Sequence, residues 1–241
     1  MTPFLQKCIN NNTSLYEAVF RPLGIGHIKT DSIWYTLQQT PPLHSNLITL
    51  SPTWRPDRLF HDINFGFIST GWDRWSIKDS FGVLDLTGHR FFKLFDAKWT
   101  YLDISKFTPA GSGGLKYKLV KTAEDLDKWR LAWNANEQPG IGKSIFSDAM
   151  LNDPDVWFIA GYDGDSIVSG CLVNASDDVL GISNVFAPDD SVGYWSAMIE
   201  FIRSDIRSAD LVGYEREFEK FEGLGFESPG NLSVWVKRTH A

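Results

Sequence analysis

The sequence predicts an α/β fold with a mixed sheet in its C-terminal half, and three observations lead to this prediction. Residues 115–237 contain short apolar segments of strand length that alternate with amphipathic segments of helical period. The segments at 156–162, 167–173 and 179–186 follow one another through short turns, which indicates an antiparallel meander. A long amphipathic helix then precedes the next strand, and such a crossover implies a mixed sheet with helices on both faces.

The predicted C-terminal half begins with a strand and two helices. Residues 115–120 alternate apolar and polar side chains, which is typical of a half-buried strand. Thr122 is expected to cap the next helix, because Asp125 follows it three residues later in a pattern close to a capping box. A second, short helix is expected within residues 144–151.

Tight turns and one long helix organise the rest of this half. Asp163-Gly164 predicts a hairpin turn, and a second turn is expected at residues 176–178. A strand at 210–214, a helix at 216–224 and a last strand at 232–236 complete the order β-α-α-β-β-β-α-β-α-β. The long helix before them has these residues on one face: Trp195, Met198, Ile199, Ile202 and Ile206.

A Gly- and Ser-rich segment separates an N-terminal part that is harder to interpret. We expect an N-terminal α/β region at 1–107, a linker at 108–114 and a C-terminal domain at 115–241. The N-terminal part is expected to contain a helix at 14–21 that Pro22 stops, and a second helix near 80–86. Strands are expected at 46–50, 74–78, 92–95 and 99–102.

Composition excludes several kinds of partner. The chain has 23 Lys and Arg against 30 Asp and Glu, a net charge of −7, so no nucleic-acid partner is expected and an amine substrate suits the sign better. Its two cysteines and five histidines show neither a disulfide framework nor metal-ligand spacing, so no metal is expected. Neither a signal peptide nor a membrane segment is evident, which predicts a cytoplasmic protein. Whether it forms a homodimer is left open.

Four stretches of the C-terminal half resemble one enzyme family. They are residues 162–170, a hairpin; 184–188, a strand end; 218–226, a helix that ends in Gly-Phe; and 230–237, a closing strand. In order and spacing they are similar to the Gcn5-related N-acetyltransferases (GNAT). This resemblance implies the acyl-CoA N-acyltransferase fold. Residues 75–99 mimic the same strand–helix–strand ending, so the N-terminal part is expected to be a smaller, degenerate copy; the alternative is an unrelated extension packed on the sheet.

The resemblance also implies an activity and a site. Family members transfer acetyl from acetyl-CoA to an amine, here of a small-molecule or amino-acid-like acceptor. The pantetheine arm would enter a notch between residues 182–186 and 211–214, where backbone groups align the thioester. The residues expected to bind acetyl-CoA are Val185, Phe186, Ala187, Ser191, Val192, Gly193, Tyr194 and Trp195.

This chain departs from the family pattern at the phosphate loop and at a proton donor. Gly193 keeps the first glycine of the loop, but Asp190 replaces a neutral or basic residue and Trp195 replaces a small one. Phe221 stands where many members have a tyrosine that donates a proton. These departures favour an alternative function, a catalytically silent GNAT-fold module that binds another ligand or a protein partner.

Four residues are candidates for proton transfer at the notch. Glu215 or Asp189 would accept the proton of the amine, and Tyr214 or Tyr194 would donate one to the thiolate. Each has a structural alternative: Glu215 can stand at the start of a helix as a favourable carboxylate, and the tyrosines can be packing residues.

Overall fold

The apolar segments of the chain pair side by side into one mixed sheet of eleven strands. The computed structural model describes residues 1–54, 74–110, 114–134, 141–188 and 192–238. The strands are β1 (Ile28–Lys29), β2 (Ile33–Tyr35), β3 (Leu47–Thr49), β4 (Arg74–Asp79), β5 (Phe92–Leu102), β6 (Lys116–Leu119), β7 (Val156–Asp163), β8 (Ser166–Ser176), β9 (Val179–Phe186), β10 (Asp210–Glu215) and β11 (Asn231–Arg238).

Among the described residues, five α-helices accompany the sheet: α1 (Pro3–Phe20), α2 (Ala123–Trp133), α3 (Ile141–Ile145), α4 (Val192–Phe201) and α5 (Glu219–Glu222). A π-helical turn (Ile202–Ile206) extends α4, and short 3₁₀ turns cover Arg21–Leu23, Thr87–His89, Ile104–Lys106 and Asp148–Asn152. None of the helices in the described ranges is long and apolar enough to cross a membrane.

The predicted meander and crossover are confirmed. Strands β6 to β9 pair antiparallel in chain order, and β10 then pairs parallel to β9 after the crossover through α4. The hairpin turn falls at Gly164, which has a φ of +57° that glycine adopts without steric cost. Because β9 and β10 are parallel neighbours, this arrangement places their carboxyl ends beside each other.

The two parts of the chain exchange strands at the centre of the sheet. The order is β1-β2-β3-β4-β11-β5-β10-β9-β8-β7-β6, so β5 lies between β10 and β11, and β11 lies between β4 and β5. The strand pairings repeat on the two sides of the central β5–β11 pair. On one side β5 pairs antiparallel with β10, which pairs parallel with β9. On the other side β11 pairs antiparallel with β4, which pairs parallel with β3. Each part of the chain is therefore completed by a strand of the other.

Helix α1 begins earlier than the sequence predicts. Thr2 caps it by accepting a hydrogen bond from the Leu5 amide at 3.2 Å, and Pro3 occupies the first turn, where its missing N–H costs nothing. The prediction started the helix at residue 14, because residues 10–13 are weak helix formers. Tertiary contacts stabilise them instead: Asn11 and Asn174 each donate a side-chain hydrogen bond to the other's backbone carbonyl, at 3.1 and 3.2 Å.

Other predicted helices are shorter or absent. Residues 80–86 form a turn around Gly82, whose φ is +62°, and only a 3₁₀ turn at Thr87–His89 follows. The helix expected at 216–224 is reduced to Glu219–Glu222, and that expected at 144–151 divides into α3 and a 3₁₀ turn. The cap at Thr122 is confirmed, since its hydroxyl accepts from the Asp125 amide at 3.1 Å.

Helices cover both faces of the sheet. On one face α1, α2 and α3 bury a core that includes Trp99, Trp129 and Phe158. On the other face α4 and α5 pack Met198, Ile199 and residues near Phe221 against β5, β7, β8, β9 and β10. Helix α1, which belongs to the N-terminal part, packs over β5, β8, β9 and β10. An element of the N-terminal part therefore covers this face of the C-terminal strands.

Candidate active site

Strands β9 and β10 separate at their carboxyl ends. Their parallel pairing runs from Asp210 opposite Val179 to Val212 opposite Gly181 and stops there, although both strands continue. Gly213, the first residue beyond the pairing, still lies close to β9, because a Cβ on it would be 2.9 Å from the carbonyl oxygen of Ile182. The sequence predicts the notch between residues 182–186 and 211–214; residues 211 and 212 remain paired with β9, so the opening begins beyond Gly213.

A β-bulge lies on one wall of the notch. Asn184 and Val185 of β9 oppose the single residue Cys171 of β8, because Ser183 pairs with Leu172 and Phe186 pairs with Gly170. Asn184 has a φ of +53°, a left-handed conformation that asparagine tolerates better than most residues. Bulges of this kind re-aim backbone groups and are frequent at active sites.

A cavity of about 530 Å³, the α4 cavity, opens on one side of the notch. It lies where the ends of β9 and β10 meet the first turn of α4 and helix α5. Its lining residues are Trp133, Val185, Phe186, Ala187, Val192, Trp195, Glu215, Arg216, Glu217, Lys220, Phe221 and Leu224.

A second cavity of about 510 Å³, the α1 cavity, lies on the other side beneath α1. Val185, Glu215 and Arg216 line both cavities, so the two meet at the notch. The N-terminal part contributes α1 residues, residues 43–45 and one face of β4. The C-terminal part contributes residues 181–185 of β9, residues 212–215 of β10 and Arg216.

The structure brings together most of the predicted cofactor-binding residues. Val185, Phe186, Ala187, Val192 and Trp195 line the α4 cavity. Gly193 and Tyr194 lie in the first turn of α4. Ser191 lies outside the described residues.

The candidate acids and bases are distributed over the two cavities. Glu215, the last residue of β10, is half-buried and faces both cavities, whereas Tyr214 lines the α1 cavity. The Tyr194 carbonyl accepts a hydrogen bond from the Tyr117 hydroxyl at 3.2 Å, which fixes the start of α4 to β6. Asp189 and Asp190 lie outside the described residues.

Two of the departures from the family pattern are in contact. The rings of Trp195 and Phe221 pack edge to face in the α4 cavity with centroids 4.6 Å apart. The bulky residue at the phosphate loop therefore occupies space beside the position where a tyrosine is common in the family. One packing interaction accounts for both substitutions.

The α1 cavity contains a buried lysine that the sequence did not single out. Lys78 is 2% exposed, its Nζ donates to Asn12 Oδ1 at 2.6 Å, and it lies 4.2 Å from the ring centroid of Tyr214 and 5.0 Å from that of Tyr16. Burial disfavours the ammonium and the two tyrosines favour it, and the net direction of the Lys78 pKa is upward. The side chain is therefore charged at neutral pH.

Sequence patterns gave little sign of two site residues. Lys78 lies in an alternating segment where a lysine is normally exposed. Residues distant in sequence surround it, namely Asn12 and Tyr16 of α1 and Tyr214 of β10. Asn184 lies in residues 184–188, one of the stretches that resemble the GNAT family. Its left-handed conformation, however, depends on the bulge in the pairing of β9 with β8. Asparagine's tolerance of positive φ was the one local signal available.

His44 in the α1 cavity gives a prediction about stability. Burial lowers its pKa to about 4, and its Nδ1, 2.9 Å from the Pro42 carbonyl oxygen, opposes this by donating to it. Because the folded pKa is below the unfolded value, the unfolded chain binds more protons between about pH 6.5 and 4. We expect His44 to contribute about 3 kcal/mol of stability above that window, which is lost as the pH falls through it.

Urea unfolding of the wild type and of His44→Gln over this pH range measures the effect. Between about pH 6.5 and 4, the free energy of unfolding of the variant should decrease by about 3 kcal/mol less than that of the wild type. Equal pH slopes in the two proteins would contradict the account of His44.

No protein-family profile matches the sequence, and no curated protein matches it. Among solved structures, a GCN5-related N-acetyltransferase from Kribbella flavida is similar with a TM-score of 0.67 and 11% identity, covering 98% of this chain and 96% of that one. A conserved protein of unknown function from Staphylococcus epidermidis gives a TM-score of 0.64 and 11% identity, covering 91% and 97%.

A tandem GNAT protein from the clavulanic acid biosynthesis pathway is also similar, with a TM-score of 0.52, 9% identity and coverage of 81% of this chain and 75% of that one. At these identities the likeness concerns the fold. The chain therefore has the fold of the Gcn5-related N-acetyltransferase superfamily, as its sequence pattern predicts.

Proposed function

We propose that this protein transfers an acetyl group from acetyl-CoA to the amine of a small acceptor. The observation that carries the proposal is the notch: two parallel strands separate beside a bulge, and a cavity opens on each side of them. A thioester arm entering from the α4 cavity and an amine entering from the α1 cavity would meet there. Holding the two reactants in this way supplies much of the rate enhancement of such a reaction.

The reaction needs three proton transfers around one nucleophilic attack. The acceptor ammonium first loses a proton, and its nitrogen lone pair then bonds to the thioester carbonyl carbon. The C–S bond breaks, the sulfur leaves with the bonding pair and takes up a proton, and the new amide nitrogen loses one. Backbone N–H groups at a bulge are suited to stabilise the oxyanion that forms on the carbonyl oxygen.

We assign the proton transfers to the end of β10. Glu215 is the base, because its carboxylate is half-buried and lines both cavities. Tyr214 is the acid, because its ring lies beside the ammonium of Lys78 in the α1 cavity. Tyr194, in the first turn of α4, is the alternative acid, and Asp189 is the alternative base.

The α4 cavity would hold the rest of acetyl-CoA. Arg216 and Lys220 supply positive charge for phosphate groups, although Lys220 forms an ion pair with Glu217 that an incoming phosphate would have to displace. Val185, Phe186 and Ala187 would flank the pantetheine arm. The chemistry of the cavity therefore fits the co-substrate, with phosphate contacts that differ from the family's usual loop.

Release of free thiol from acetyl-CoA in the presence of a panel of amines tests the proposal. We expect Glu215→Gln to lower kcat about 100-fold or more, as is typical when a general base is removed. The matched control is Glu219→Gln on α5, whose carboxylate pairs with Lys98 at the surface. Thiol release that does not exceed spontaneous hydrolysis with every amine tested would exclude the activity.

A second candidate function is a binding module without catalysis. The packing of Trp195 on Phe221 favours it, because the two rings fill part of the α4 cavity. For this candidate we expect no thiol release, together with binding of a different ligand at the notch.

We further infer that residues 1–107 are a degenerate copy of the domain at 115–241, joined through the segment at 108–114. The pairing pattern around β5 and β11, which is the same in both directions, supports this. So does the similarity to a tandem GNAT protein. We place the protein in the cytoplasm, where its two buried cysteines, Cys8 and Cys171, would stay reduced.

A further inference from the structure

The charge of the α1 cavity is opposite to that of the whole protein. The described residues that line it include three cations, Arg74, Lys78 and Arg216, and one carboxylate, Glu215. The chain as a whole has a net charge of −7. Because the cations line the cavity itself, its local positive charge governs which ligands enter more than the net charge does.

Lys78 is the most deeply buried of these cations. None of the ion pairs among the described residues involves it, and the side chains that hydrogen-bond to it are the amide of Asn12 and the phenols of Tyr16 and Tyr214. A buried charge is costly unless it is paired. The amide and the two phenols stabilise the ammonium, and an anion entering the cavity would add the opposite charge that no carboxylate among its hydrogen-bond partners supplies.

Asn12 adds a second, independent observation. Its side chain is 6% exposed and lines the α1 cavity, yet its Nδ2 has no hydrogen-bond partner in the described part of the chain. Buried amide donors are nearly always paired. Since Asn12 Oδ1 accepts from Lys78 Nζ, the unused Nδ2 and the ammonium lie side by side as two donors.

We propose that Lys78 and Asn12 bind the carboxylate of the acceptor, and that the acceptor is a small amino acid with an apolar side chain. This inference rests on the proposed function, which places the reacting amine at the notch. One ammonium and one amide N–H match the two oxygens of a carboxylate. Apolar lining residues, among them Leu15, Phe95, Trp99 and Val234, suit an apolar side chain.

The size of the α1 cavity suits an amino acid. Lys78, Asn12 and Glu215 all line it, so the proposed carboxylate anchor and the proposed base face the same space. A cavity of about 510 Å³ has room for the bulkier apolar amino acids.

Calorimetric titration of the full chain with matched pairs of ligands tests the proposal. The probes are L-leucine, L-phenylalanine and L-tryptophan, each compared with its primary amide and measured without acetyl-CoA. We expect the wild type to bind at least one acid about 10- to 100-fold more tightly than its amide, the range for a buried charge-assisted hydrogen bond. Equal affinity within each pair, or no binding of any acid at millimolar concentration, would overturn the proposal.

Variants separate a ligand contact from a structural role. Lys78→Met removes the charge at similar length, and Asn12→Asp places a carboxylate where it pairs with Lys78 internally. Both should abolish the preference for acid over amide, whereas Lys98→Met, at an exposed lysine outside the cavity, should retain it. A preference unchanged in Lys78→Met would contradict the assignment, and circular dichroism at the same temperature confirms that each variant is folded.

The outcome is distinguishable from failure of the proposed function. If the acids are preferred but no thiol is released from acetyl-CoA, the carboxylate site stands and the acetyl transfer does not. If acids and amides are acetylated with equal kcat/KM, acetyl transfer stands and the carboxylate site is wrong.

Discussion

Replacing Asn184 with valine should lower kcat/KM for acetyl transfer about 100-fold, the loss expected when reacting groups are misplaced by about 1 Å. Asn184 adopts a φ of +53° in the bulge on β9, and a β-branched residue is strained in that conformation by about 1–2 kcal/mol. Relief of the strain would flatten the bulge and turn the backbone groups of residues 184 and 185 away from the notch.

Asn184→Gly is the matched control, because glycine adopts positive φ without strain. It also removes the hydrogen bond that Asn184 Nδ2 donates to Ser183 Oγ at 3.0 Å. We expect activity within a few-fold of the wild type. If the glycine variant loses as much activity as the valine variant, the amide side chain is responsible and the argument from backbone conformation is wrong.

The second large effect concerns stability. Gly170→Ala should destabilise the protein by about 3 kcal/mol, at the upper end of the usual cost of overpacking. A methyl group at residue 170 would overlap the carbonyl oxygen of Ile159 and lie 2.8 Å from Trp129 Nε1 and 2.9 Å from the ring of Phe186. These atoms belong to a paired strand and to a hydrogen bond from Trp129 to Ile159, so they cannot move apart cheaply.

Thermal unfolding measures this prediction. A loss of about 3 kcal/mol corresponds to a drop of roughly 6–12 °C in melting temperature for a chain of this size. Gly88→Ala is the control, because nothing lies within 4 Å of a Cβ built there. If both variants melt within a degree or two of the wild type, β8 tolerates a side chain at this position and the described packing is wrong.

The C-terminal half was predictable because local signals and global fold agree there. The cap at Thr122, the turn at Gly164 and the strand at residues 179–186 each depend on nearby residues, and the structure confirms them. The residues expected beside the acetyl-CoA arm, from Val185 to Ala187, line a cavity because they end a strand at the notch. Periodicity and turn chemistry are sufficient for features of this kind.

The N-terminal part was less predictable because its elements depend on distant partners. Residues 10–13 are helical through the reciprocal hydrogen bonds of Asn11 and Asn174, which are 163 residues apart in sequence. Strand β5 is one long strand since it pairs with both β10 and β11. No local pattern indicates such contacts, and the burial of Lys78 was missed for the same reason.

The same dependence on distant residues explains why the sequence did not indicate the acceptor side of the site. The α1 cavity is formed by α1 and β4 of the N-terminal part together with β9 and β10 of the C-terminal part. The net charge of the chain suggested a site for a plain amine. The cavity shows that a positively charged lining can exist within an acidic protein when cations from separate strands line the same space.

Thermal unfolding in the presence of acetyl-CoA tests the central claim, that the notch between β9 and β10 binds the thioester arm, most directly. We predict that acetyl-CoA at about 100 times its dissociation constant stabilises the protein by roughly 2.7 kcal/mol, a rise of about 5–10 °C in melting temperature. Adenosine 3′,5′-bisphosphate, which lacks the pantetheine arm, should give a much smaller rise. No rise with acetyl-CoA at millimolar concentration, or an equal rise with both compounds, would contradict the account.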